Sequence, residues 1–165
     1  MKKNNYKNFW QIKNISIIIS VLMFFVLDRY LKFLAKNLDT DISLIKNILS
    51  FTFHPNKGIS FSLAFPSPYL KLIIIILLIV LIIYCCYLFI KKEYSEFLAL
   101  FSIILGALSN LIDRFKYSYV IDYLNFFNLN ILNLADVMIS MACLYIIFFK
   151  IFFQNKKINS GSLKN

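Results

Sequence analysis

The sequence predicts an all-α membrane protein with four transmembrane helices and a small β-like flap or cradle on its outer side. Three observations carry this. Four apolar runs approach or exceed the length of a membrane span, basic residues concentrate on alternate connections, and acids collect at one membrane level. Of the 165 residues, 60% are hydrophobic, against about 45–50% apolar in a soluble domain. At this length residues 1–165 are expected to form a single membrane domain.

A spanning helix needs about 20 mostly apolar residues, with a range of about 17–25. The first run covers about 15–36, with charges only from Asp28 onward. Lys2, Lys3, Lys7 and Lys13 precede it, as basic residues precede a signal peptide. Asp28-Arg29-Tyr30-Leu31-Lys32 follows instead of a small-residue cleavage site, so the run is expected to be a retained helix. The outer loop 37–68 is too long for a bare turn. Ile48–Phe53 is rich in β-branched and aromatic residues, and Ile59–Phe65 alternates loosely. With Pro55-Asn56-Lys57-Gly58 between them, a strand–turn–strand flap is expected. The second span covers 69–90, interrupted only by Lys71. The third covers 97–114 once Asp113 and Arg114 are included. A second outer loop, 115–133, leads to the fourth span at 134–153, broken only by Asp136 and Lys150.

The formal net charge is +10. The bases sit mostly at the ends of apolar runs, without a basic stripe and spaced aromatics, so topology explains them better than nucleic acid does. Lysines crowd the N-terminal tail, the 91–96 connection and the C-terminal tail. The opposite loops hold only Lys46, Lys57, Arg114 and Lys116. Both termini are therefore expected in the cytoplasm. Arg29, Lys32, Lys36 and Lys71, near outer helix ends, are expected to snorkel to the headgroups.

This orientation brings polar groups from separate segments to one outer level: Asp28, then Asn110, Asp113 and Arg114, then Asp122, then Asn133 and Asp136. Carboxylates beside hydrocarbon are costly and mark function by default. Asn110, Asp113 and Arg114 share a helical face, and Asp28 stands one turn from Lys32. Interhelical hydrogen bonds and local ion pairs would explain part of this pattern, and Asp136 in a first helical turn favours the helix dipole. Asp122 is different, because it lies in the apolar-aromatic segment Tyr119–Phe126. A carboxylate there tends to keep its proton. With a second carboxylate close by, one proton is shared, and the pair can activate water and protonate a leaving amine. Asp136 is the natural partner, although the spacing leaves their meeting to the fold.

Other chemistries fit poorly. His54 is the only histidine and is read as a surface or flap residue; Ser109 has no histidine base, which leaves it only a Ser–Lys scheme. No metal-ligand spacing and no glycine-rich phosphate loop occurs. No cofactor and no metal is expected. Cys85, Cys86 and Cys143 are read as buried packing residues. A proton or ion transporter would favour midplane charges and an internal repeat, and neither is visible.

The blocks Asp28-x-x-x-Lys32, Asn56-x-Gly58-x-x-Phe61, Gly106-Ala-x-x-Asn110-x-x-Asp113-Arg114, Val120-x-Asp122-Tyr and Asn133-x-Ala135-Asp136 together resemble the lipoprotein signal peptidases (signal peptidase II). The resemblance covers about residues 28–139. It implies an aspartic endopeptidase of the bacterial inner membrane that cleaves diacylglyceryl-modified prolipoproteins just before the lipidated cysteine. The implied partners are those substrates and membrane lipids, with a monomer expected. By motif, Asp122 and Asp136 are the implied catalytic pair. Asn110, Arg114, Asn133, Gly106 and Ala135 are implied to line the site, and Asp28, Lys32, Asn56 and Gly58 to support it or meet substrate. Asp113 reads as a local charge partner of Arg114. Leu105, Ser109, Tyr123 and Leu132 depart from residues common in the family.

Overall fold

The computed structural model describes residues 2–58 and 67–149, with side chains from 15–58 and 69–148. The expected second flap arm at 59–65, the end of the fourth span and the polar tail lie outside the described residues. The fold is mostly helical with a small antiparallel sheet. Its elements run α1 (Lys2–Lys36), β1 (Ile42–Ile45), β2 (Leu49–Asn56), α2 (Ser67–Lys91), α3 (Tyr94–Tyr117), β3 (Val120–Phe126), β4 (Asn130–Leu132) and α4 (Leu134–Phe149).

α1 begins well before the expected start near 15, because nothing in the polar N-terminal segment breaks a helix; the first proline is Pro55 and the first glycine Gly58. It stops after Lys36, where the Asn37 side chain donates back to the Phe33 carbonyl. α2 and α3 form a tight antiparallel hairpin. Lys92 takes a left-handed conformation (φ 61°), and Glu93 N–H closes onto the Leu88 carbonyl. Leu78, Cys85, Leu88, Leu100, Ile104 and Leu111 form a buried core within this hairpin. α3 is the hub, since it packs against α1, α2 and α4. Gly106 lets α4 approach: a Cβ there would sit 2.7 Å from the Ala135 carbonyl oxygen and 2.8 Å from Ile139 Cγ1.

Among the described residues, two helices are long and apolar enough to cross a membrane, Tyr69–Lys91 and Tyr94–Tyr117; Leu134–Phe148 is a shorter apolar helix. Large apolar side chains such as Met23, Val26, Ile83, Ile90, Met141 and Phe148 remain exposed on α1, α2 and α4. Such a surface suits helices in contact with lipid. Cys86 and Cys143 lie on these outward faces and are exposed, so only Cys85 keeps the expected buried role.

The expected flap takes another form. The sheet order is β1-β2-β3-β4, all antiparallel. β2 pairs with β1 and β3, and both outer loops contribute strands. Pro55 and Asn56, expected in a turn, continue β2. Pro55 is accommodated because β1 covers only Leu49–Phe51, leaving an edge that is open among the described residues, where a missing N–H costs little. Asn47 and Asn128 turn the two hairpins in left-handed conformations (φ 60° and 54°) that asparagine tolerates. Phe51, Ile121 and Tyr123 pack with Ala35 of α1, seating the sheet on the helix ends.

Candidate active site

Asp28, Lys32, Ser109, Asp113 and Asn133 are wholly inaccessible to solvent, and Asp122 nearly so. Burial on this scale is tolerable only where charges and hydrogen bonds are matched. Lys32 Nζ lies 3.2 Å from Asp28 and 2.9 Å from Asp113, and donates to Asn110 Oδ1 at 2.7 Å. Arg29 completes the balance by pairing with Asp113 and donating to the Ser109 carbonyl. Two cations thus face two carboxylates. Arg29 and Lys32 turn into the bundle rather than snorkelling, because the buried carboxylates on α1 and α3 need them. Asp113 partners these two α1 bases, while Arg114 reaches the other way to the Gly58 carbonyl at 3.1 Å. The expected local Asp113–Arg114 pairing is therefore replaced by contacts to other elements.

The first turn of α4 is held from three sides. Asn133 is its N-cap: Oδ1 accepts from Asp136 N–H at 2.9 Å, and Asp136 Oδ2 accepts from Asn133 N–H at 3.3 Å. This is a reciprocal capping box with asparagine and aspartate in the two roles. Leu134 N–H donates to the Tyr123 hydroxyl at 3.0 Å, and Ala135 N–H to Asp28 Oδ1 at 3.1 Å. The Tyr123 hydroxyl in turn donates to Asp28 Oδ1 (3.0 Å), and Ser109 Oγ to Asp28 Oδ2 (2.6 Å). Two of the departures from the family pattern, Ser109 and Tyr123, thus place hydroxyls on one buried carboxylate. Sequence reading gave them no such role, because the contacts span 81 and 95 residues.

β3 delivers Asp122 to the same place. Asn133 Nδ2 donates to Asp122 Oδ1 at 2.7 Å, and Asn56 Nδ2 donates to Oδ2 at 2.9 Å. Asn110 Nδ2 donates to Asp136 Oδ1 at 2.8 Å. Asn133 therefore bridges the two carboxylates, while Asn56 and Asn110 each hold one. Both carboxylates line a cavity of about 660 Å³, together with Asn56, Asn110, Arg114 and residues of β4. Burial pushes Asp122 up to about 6; the nearby Asp136 charge adds to the rise, and the two asparagine donors oppose it. Burial, with Asp28 beside it, likewise raises Tyr123.

His54, set aside on sequence, stands opposite Asp122 in the β2–β3 register and lines the cavity. Gly106 and Ala135, expected to line it, mark the α3–α4 crossing instead. Lys32 and Asp28 act behind the cavity wall, and Gly58 contributes its backbone.

The arrangement is two carboxylates from different elements, bridged by an amide and open to one polar cavity. The Signal peptidase (SPase) II family matches residues 19–153. The chain belongs to the signal peptidase II family. It is 36% identical over 142 residues to the lipoprotein signal peptidase of Clostridium tetani, covering 80% of this chain and 90% of that protein. It is 30% identical over 145 residues to the lipoprotein signal peptidase of Clostridioides difficile, covering 84% and 97%. Its fold is similar to that of a bacterial membrane enzyme solved by the in meso method at 2.3 Å, with a TM-score of 0.70, 24% identity, and coverage of 91% and 92%. A signal peptidase II is a protease of the bacterial inner membrane, which agrees with the apolar helices here.

Proposed function

We propose that this signal peptidase II is an aspartic endopeptidase whose catalytic pair is Asp122 and Asp136. Membership in the family carries with it the removal of signal peptides from prolipoproteins. The finer reading is that cleavage falls just before a diacylglyceryl-modified cysteine. The observation that carries the pair is its convergence: a strand and a helix start, linked by Asn133, present both carboxylates to one cavity.

One proton serves the pair. The ionised carboxylate takes a proton from water as the oxygen attacks the scissile carbonyl. The protonated carboxyl polarises that carbonyl and then supplies the leaving amine. Asp122, raised to about 6 by burial, holds a proton more readily than an exposed carboxylate does. Asn56, Asn110 and Asn133 fix both carboxylates before substrate arrives, which is the preorganisation such chemistry needs. Arg114 and Asn110 border the cavity as positioning groups, with Asp28 and Lys32 supporting them from behind.

In this reading, residues 1–165 act as one peptidase unit with four spans and both termini in the cytoplasm, and the lipid anchor of the substrate keeps its scissile bond at the outer surface. Asp122→Asn and Asp136→Asn should each abolish cleavage of a lipidated prolipoprotein while the protein still inserts and purifies folded. Near-normal processing by either folded variant would overturn the assignment.

A further inference from the structure

The sheet ends at β4. Among the described residues, β3 holds one side of this strand and no strand holds the other. The free edge borders the cavity that contains Asp122 and Asp136. Side chains alternate between the faces of a strand, so a cavity against one face meets every second residue. β2 and β3 obey this: His54 and Asn56 line the cavity from β2, and Val120 and Asp122 from β3. β4 does not, because all three of its residues, Asn130, Ile131 and Leu132, line it in unbroken succession, with Leu129 of the preceding turn beside them. Consecutive residues border one cavity when it wraps round the strand edge, where outward N–H and C=O groups await partners.

We propose that the substrate polypeptide crosses the cavity in extended form and adds to the free edge of β4 through main-chain hydrogen bonds. The inference rests on the peptidase reading above and names how that site takes its substrate. The occupant follows from the position of the edge: a chain paired there runs beside the two carboxylates, and an extended chain exposes its peptide bonds to attack. Main-chain pairing gives affinity with little regard to side chains, which suits an enzyme acting on signal peptides of varied sequence. Among the described residues the outer edge of β1 is also open, but its residues do not line this cavity.

β4 spans only Asn130–Leu132, and alternate residues of a strand present their backbone groups to the same edge. One or two substrate amides should therefore matter, and two such amides should be separated by an indifferent one. The test uses the full-length enzyme in detergent with a diacylglyceryl-modified prolipoprotein peptide. Each amide near the cleavage point, except the scissile one, is replaced in turn by an ester, which removes a single N–H. A sensitive position should lower kcat/KM by about three- to tenfold, with its immediate neighbours unaffected. A flat scan, or losses at adjacent positions, would overturn strand addition while unmodified peptide is still cleaved and Asp122→Asn is inactive. Cleavage by Asp122→Asn would instead overturn the peptidase reading, and the pairing with it.

Discussion

Asp136 has two tasks, one for each of its oxygens. One oxygen closes the capping box with Asn133 N–H, and the other accepts from Asn110. The structural reading of this residue, an acid favouring a helix start, is correct and also explains how its carboxylate is aimed. Burial raises the titration of Asp122. Its native form keeps a proton that the unfolded chain gives up earlier, so its stabilising contribution is full at low pH and is lost as pH rises through about 6. The lost contribution is on the order of 3 kcal/mol. Two consequences can be measured together. The profile of kcat/KM against pH should have its falling limb near pH 6 or higher, well above an exposed carboxylate, because the active pair must retain one proton. The drop in melting temperature between pH 5 and pH 8 should shrink in Asp122→Asn.

At the scale of elements, the meeting of α3 and α4 controls the site. Asn110 lies one turn beyond Gly106 on α3, and Ala135 directly precedes Asp136 on α4. A methyl group at position 106 would press on the Ala135 carbonyl, a backbone atom that cannot swing aside. Gly106→Ala should destabilise the protein by about 1–3 kcal/mol and lower turnover by misplacing Asp136 against Asn110. Thermal unfolding in detergent and steady-state cleavage check both effects. Legibility differed sharply between elements. α2 and α3 could be read from their apolar runs, and the start of α4 from Asn133 and Asp136. β1 and β4 could not, since short strands joined by asparagine turns have little periodicity. The continuation of β2 through Pro55 ran against a turn signal and depends on where β1 stops pairing.

At the scale of the whole molecule, buried charge ties the bundle to the sheet. Asp28 on α1 meets α3 through Ser109, β3 through Tyr123 and the start of α4 through Ala135. Lys32 joins the same network to Asn110. In the proposed function, four spans and a cavity at the outer helix ends go with both termini on the cytoplasmic side. Cysteines introduced singly at Lys46 and Lys164 in a background without the native cysteines should separate cleanly: a membrane-impermeant thiol reagent applied to intact spheroplasts labels position 46 and spares position 164. Labelling at 164 would reverse the orientation.

The sequence by itself determined the apolar helices and the gathering of polar residues at one membrane level, and it singled out the two carboxylates that the proposed function uses. These follow from local composition, spacing and the cost of charge beside hydrocarbon. Only the tertiary structure decided who holds whom. Asn133 bridges Asp122 and Asp136, Tyr123 and Ser109 converge on Asp28, and Asp113 answers to α1 rather than to its neighbour Arg114. Those contacts join residues distant along the chain, and their geometry depends on how closely α3 and α4 approach and which strands pair.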